Sequence, residues 1–448
     1  MSDLEKRFAA LGIHVPEILL PAPEIDLGAW AVVACDQYSS ERDYWERADA
    51  LVGEKPSTLR LIYPECYLED QDKDRRIRDI QAAMARYLSQ GFLRSQGKGF
   101  ALVERRTPYE KEPRVGLVLA LDLEQYVYGP ASKSLIRPTE GTIVERLPPR
   151  MAIRRGSPLE LPHIMVLVDD PGRTVIEPLH RLRSFLPKAY DFELMAGSGS
   201  VRAWKVADEA SLAAVCGALE TLAEASRRDN PVEPLLFAVG DGNHSLATAK
   251  AVWEETKVSL KGNPREKELL QVHPARFALV ELLNIYDPGL PFHPIHRVLF
   301  NVDSRTLLED IEAAGAKMEL KPDAASAFRA CDASSSGEAH VFAFVGGGRC
   351  GTLRFEKPQA SLAAGTLQSF LDRWLKVHPE TQIDYIHGSG SLEALGSKPG
   401  NLGLYLPPVD KGSFFSTILR NGVMPRKTFS MGEAPEKRFY IEARKIVL

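Results

Sequence analysis

The chain has 448 residues, 44% of them apolar, with a net charge of -4 and five cysteines. That length exceeds one ordinary domain, and the slightly acidic balance gives no general field for nucleic acid. No window is apolar and long enough for a membrane span, and neither a signal nor a transit peptide is evident in residues 1–25, so a cytoplasmic location is expected.

In chain order, short β-rich runs alternate with longer helical ones. The apolar run at 30–35 reads as a buried strand, and Ile77, Ile80, Ala83, Met84 and Tyr87 form a helical stripe over 70–88, giving a first αβ unit. Runs at 99–104 and 114–122, separated by the charged stretch Arg105 to Glu112, predict a hairpin. From Tyr128 to Pro162 prolines and arginines accumulate, and a surface loop too irregular for one helix is expected. A strand at 163–168 and a helix at 208–228 follow. Beyond them, strands are expected near 276–284, 340–345 and 350–355, with helices near 304–315, 360–377 and 411–421. The Ser-rich stretch at 331–340 reads as a hairpin or inter-element loop. The fold class is therefore α/β with mixed sheets, a core over 1–300 and a second α/β part over 301–448. The cysteines Cys35, Cys66, Cys216, Cys331 and Cys350 form no CxxC pair and read mostly as small core residues.

One stretch carries chemistry. In "LLFAVGDGNHSLATAKAVWEE" (235–255) an apolar strand breaks at Gly240-Asp241-Gly242 and resumes as a helix starting between Asn243 and Ser245. Unpaired amides and the positive end of the helix dipole suit an anion such as phosphate. Asp241 would repel phosphate unless it binds magnesium or takes a proton from a nucleophile. The plainer reading makes Asn243 or Ser245 a helix cap and Asp241 a turn residue. Other constellations are weaker. His293, His296 and Asp287 lack metal-site spacing, "GGGR" (346–349) and "GSGS" (197–200) read as hairpin turns, and no nucleophile elbow is present.

"GDGNHSLATAK" (240–250) does not stand alone. With "WAVVACDQYSSERDYW" (30–45), "GTIVERLPPRMAIR" (141–154), "ARFALVELLNIYDPGLPFHPIHRVLF" (275–300) and "NGVMPRKTFSMGEAPEKRFYIEARKI" (421–446), it resembles the DUF1015 family. The family's turn is similar to the phosphate-binding motif of the ParB/sulfiredoxin fold, shared with kinases of free L-serine. The resemblance implies such a nucleotide-binding core with large insertions, and Mg2+ with ATP or ADP as cofactor. It further implies transfer of phosphate to a small hydroxylated metabolite, free L-serine or, in reverse, from phosphoserine. Two alternatives stay open: a phosphohydrolase, and a ParB-like nucleotide-gated module for DNA or protein. The acidic balance and the lack of a basic recognition helix speak against DNA, and a homodimer is admitted.

The resemblance also assigns residues. Gly240, Gly242, Asn243 and Ser245 would cradle phosphate, Asp241 would hold magnesium, and Glu145, Asp36 or His244 would complete the catalytic set. Gln37, Arg137, Thr139 and Glu140 would face substrate. Where the family has His-Arg this chain has His244-Ser245, so a guanidinium fork is missing. Lys250, Arg297 after His296, and Arg426 with Lys427 from the C-terminal part are the candidate replacements.

Overall fold

The computed structural model describes residues 2–129, 132–334, 339–425 and 427–448. They form two compact units, Met1–Leu290 with Glu433–Leu448, and Pro291–Gly432. The division falls ten residues before the expected one, because His296–Phe300 is an interior strand of the second unit's sheet. The last sixteen residues return to the first unit.

The first unit is built on a mixed sheet. Its strands are β1 (Phe100–Arg106), β2 (Arg114–Asp122), β3 (Ile136–Pro138), β4 (Met165–Val168), β5 (Lys188–Glu193), β6 (Ser200–Val206), β7 (Phe237–Asp241) and β8 (Phe277–Asn284). They lie in the order β5-β6-β1-β2-β8-β4-β7-β3, with Ile13–His14 paired to β2. β8 runs parallel to β4, and β7 parallel to β3, while the other pairs are antiparallel. Successive side chains of a strand point to opposite faces. Val118, Ala120 and Leu279 accordingly join one core, and Leu117, Leu119, Leu121 and Val280 the other. A sheet covered on both sides explains why β2 is buried at every position.

Two expectations change here. The run at 30–35 yields only the short strand Val32–Val33, which pairs with Phe439–Tyr440 rather than entering the large sheet. The stretch 128–162 is not one surface loop. It contains β3 and the helix α1 (Leu147–Arg154), which starts with prolines in its first turn, where a missing N–H costs nothing. The predicted helix after the glycine turn is α2 (Asn243–Leu260).

The second unit holds a six-stranded antiparallel sheet in the order 316–320, 349–355, 340–346, 401–405, 296–300 and 382–386. Leu299, Phe344 and Leu404 face one cluster, and Val298, Val345 and Tyr405 the other. "GGGR" is the hairpin turn expected. The stretch 331–340 begins as the end of the helix Ala324–Ala333, and 335–338 lie outside the described residues. Among the described residues no helix is long and apolar enough to cross a membrane.

Candidate active site

The Gly-Asp-Gly turn is shaped by its neighbours. The register of β7 against β4 slips between Val239 and Asp241, so Gly240 is the extra residue of a bulge. Gly242 then adopts φ 79°, and a Cβ there would sit 3.1 Å from the Ile164 Cα. Only glycine meets both conditions cheaply. Asn243 fastens the turn to β3. Its Oδ1 accepts from the Thr139 amide at 3.1 Å, while its Nδ2 donates to Thr139 Oγ1 at 3.2 Å and the Val239 carbonyl at 3.3 Å. Thr139 Oγ1 also donates to the Val239 carbonyl, at 2.6 Å. Asn243 and Thr139 are therefore buried fasteners of the turn.

No side chain caps α2, so its first-turn amides keep no acceptor from within the helix. Beside them stands Asp241, whose Oδ1 accepts from the Gly242 amide at 2.9 Å and whose Oδ2 pairs with Lys437 Nζ at 3.0 Å. Burial alone would push this carboxyl up, but the Lys437 ammonium outweighs it and holds it below the usual carboxylate range. The carboxylate and its counter-ion are thus pre-paired at a helix N-terminus.

Ser245 opens a second chain of contacts. Its Oγ lies 2.7 Å from His163 Nε2, and His163 Nδ1 lies 2.9 Å from the Tyr440 hydroxyl. Tyr440 accepts from the Cys35 amide at 3.2 Å and donates to Cys35 Sγ at 3.1 Å. With the Tyr440 O–H directed at the Cys35 sulfur, His163 Nδ1–H donates to the Tyr440 oxygen. Its Nε2 is then the acceptor for the Ser245 hydroxyl proton. Burial raises both the Cys35 thiol and the Tyr440 phenol well above their ordinary values, so both keep their protons at neutral pH.

His244 accepts from the Ile143 amide at 3.3 Å through Nε2. Burial, reinforced by Arg150 and Arg146, lowers its pKa to about 4, leaving a neutral ring at pH 7. Asp36 acts on the same ring in the opposite sense and receives a hydrogen bond from its neighbour Gln37 at 3.0 Å. Glu65 is ion-paired with Arg150 from α1, and burial nevertheless raises its carboxyl. A cavity of about 150 Å³ opens beside Cys35, Glu65, Arg150, His163, Ser245 and Tyr440.

Sequence expectations fare unevenly. Gly240, Asp241, Gly242, Asn243, His244, Ser245 and Thr139 are gathered at the turn, with Asp36 within electrostatic reach. Arg137 is not presented to a ligand: it is fully buried, donating to the carbonyls of Ser134 at 3.0 Å and Glu233 at 2.7 Å. Glu145 is exposed in a short 3-10 turn, Glu140 is half-buried, and Lys250 pairs with Glu254 at 2.8 Å. His296 and Arg297 belong to the second unit's interior rather than to an open surface. His296 accepts from the Leu406 amide at 3.1 Å and stacks on Tyr405, while Arg297 binds Gln368 at 3.2 Å and lies over the Tyr385 ring. Lys427 is in that unit too, with a left-handed φ of 57°, and Arg426 lies outside the described residues.

The residues that the sequence did not single out are His163, Lys437, Tyr440 and Glu65. Lys437 and Tyr440 stand in the C-terminal stretch that carries the family resemblance, ten and more residues past the Arg426-Lys427 pair that drew attention. His163 gave no signal, being a lone histidine at a strand entrance.

Asp241, the residue expected to hold magnesium, is engaged by Gly242 and Lys437 in the resting site. Both oxygens of Asp241 already have partners, one of them cationic, and no group of three or more metal-ligating side chains exists among the described residues.

A family model described as "Protein of unknown function (DUF1015)" matches residues 17–374. No curated protein sequence matches the chain. Among solved structures, a free serine kinase variant in complex with ADP is similar at 10% identity and a TM-score of 0.39, covering 73% of this chain and 92% of that one. A conserved hypothetical protein from Pyrococcus furiosus matches at 12% identity and a TM-score of 0.36, over 72% of this chain and 95% of its own. SbnI from Staphylococcus aureus, truncated at its C-terminus, matches at 9% identity and a TM-score of 0.34, over 72% and 82%. Similarity at this level defines neither activity nor ligand.

Proposed function

We propose that this chain, which belongs to the DUF1015 family, is a nucleotide-dependent phosphotransferase acting on the hydroxyl of a small metabolite. The observation that carries the reading is the Asp241–Lys437 pair at the uncapped N-terminus of α2. A bare carboxylate there would repel phosphate, and Lys437 removes that objection. It neutralises Asp241 in the resting site and offers an ammonium to a phosphate that arrives.

In this reading the nucleotide phosphates accept from the first-turn amides of Asn243, His244 and Ser245 and from Lys437. Asp36 is the carboxylate that receives the acceptor's hydroxyl proton as its oxygen bonds to the terminal phosphorus and the phosphoanhydride bond breaks. Asp241 orients Lys437 through the ion pair. Catalysis is then chiefly positioning and electrostatics. Free L-serine, the acceptor of the kinases that the sequence resembles, is the reference acceptor. A hydrolase would use the same groups with water as acceptor.

The test is a thermal-shift titration of the full chain with ATP, ADP, CTP and phosphoserine, with and without Mg2+, on the native protein, Asp241→Ala and Lys437→Ala. Ligand at a hundred times its Kd stabilises the fold by about 2.7 kcal/mol. A nucleotide shift lost in both variants is the expected result. No shift with any nucleotide overturns the proposal.

A further inference from the structure

The cavity beside Ser245 has a lining that free serine does not match. It is open on one side and offers about 150 Å³, room for one benzene ring. Its walls are Leu61, Leu68, Met84, Ile153 and Leu161. Met84 and Leu61 are buried, whereas Leu68, Ile153 and Leu161 are only half-buried, so apolar surface is left for a ligand to cover. The charged side chains of the lining are paired with one another, Arg150 with Glu65 and Arg154 with Glu160 at 2.6 Å. An ammonium or carboxylate entering there would have to break an ion pair. At the polar wall the Ser245 hydroxyl, the His163 ring and the Tyr440 hydroxyl offer hydrogen-bonding groups.

We propose that this cavity is the acceptor pocket, and that the acceptor is a small alcohol with a compact, uncharged apolar body of about six carbon atoms. Its hydroxyl sits at the polar wall, against Ser245 and His163 and beside Cys35, the chain neighbour of the proton-accepting Asp36. The acceptor role rests on the phosphotransferase reading, but binding to the pocket does not. The site therefore prefers an aliphatic or aromatic alcohol to serine.

The experiment is isothermal titration of the full chain with the straight-chain alcohols from propanol to hexanol, with benzyl alcohol, with L-serine and, separately, with ADP. Affinity should rise about fourfold for each methylene until the cavity is full, and L-serine should bind more weakly than benzyl alcohol. Leu161→Trp, which takes up a large part of the pocket, should weaken benzyl alcohol at least tenfold and leave ADP binding unchanged. Should that variant fail to fold, Leu68→Trp at the half-buried rim serves the same purpose. No alcohol binding, serine binding more tightly than every apolar alcohol, or full alcohol binding by a folded filled variant overturns the pocket. If alcohols bind as expected but ADP does not, the pocket stands and its role as acceptor site falls with the phosphotransferase reading.

Discussion

Replacing Lys437 with methionine separates the two duties assigned to it. The ion pair with Asp241 is 3.0 Å long, with the side chains 10% and 26% exposed, so it lies between a surface pair and a buried one. Exposed pairs contribute up to about 1 kcal/mol, and breaking a buried pair costs about 3–5 kcal/mol. A loss of about 2 kcal/mol is the middle value, a fall of about 3 °C in the midpoint of a unit of roughly 300 residues. Most of that loss is the stranded carboxylate, so adding Asp241→Asn should restore the midpoint. Nucleotide affinity should not return with it. A charge-assisted hydrogen bond contributes about 1.5–3 kcal/mol, so ADP binding should weaken roughly 10- to 150-fold in both the single and the double variant. Isothermal titration beside thermal unfolding reads both quantities on the same samples. A double variant that regains stability and also binds ADP as the native chain does would refute the ligand role of Lys437.

Other perturbations have equally definite outcomes. His14 and His296 are held neutral by burial, with pKa values lowered to about 4 and about 3, against about 6.5 in the unfolded chain. The unfolded state therefore binds protons first as pH falls below 6.5. Stability is lost progressively towards pH 4 and 3, by about 3–5 kcal/mol for each group, and urea titrations at pH 7 and pH 5 will show it as a lower midpoint. Gly242→Ala forces a left-handed Cβ to within 3.1 Å of the Ile164 Cα. It should cost about 1–2 kcal/mol by thermal unfolding and weaken ADP binding by displacing the first turn of α2. Arg438 is buried between Glu281 and Glu442, 2.5 Å from each, and also donates to the Pro162 carbonyl at 3.0 Å. Arg438→Met leaves two buried carboxylates and should cost about 3–5 kcal/mol. It should also loosen the segment carrying Lys437 and Tyr440, so ADP affinity should fall with the midpoint.

The glycine turn was legible in the sequence because its signals are local. A strand, two glycines and a helical stripe state the geometry within twenty residues, and the structure adds only that Gly240 is the bulge and Gly242 the left-handed residue. The Arg114–Asp122 hairpin partner was legible for the same reason. What could not be read was the pairing of distant segments. Lys437 meets Asp241 across 196 positions because Phe439–Tyr440 and Arg444–Lys445 pair with Val32–Val33 and Leu159–Glu160, and nothing in the periodicity of a two-residue strand announces its partner. Arg297 misled for the opposite reason. The resemblance offered it as a cation for phosphate, yet its guanidinium is spent on Gln368 and a neighbouring carbonyl inside a sheet. The missing Arg at position 245 proved informative in a way the motif alone did not show, since a serine there reaches His163.

The most direct measurement is turnover: incubating the full chain with ATP or ADP and a panel of small alcohols, L-serine included, and following nucleotide cleavage and phosphorylated acceptor together. Cleavage should depend on the acceptor, be matched one for one by phosphorylated product, and be lost in Asp241→Asn and Lys437→Met. Nucleotide cleavage at the same rate without any acceptor would contradict phosphotransfer in favour of hydrolysis, and no cleavage with any acceptor, in a protein shown to be folded, would contradict it outright.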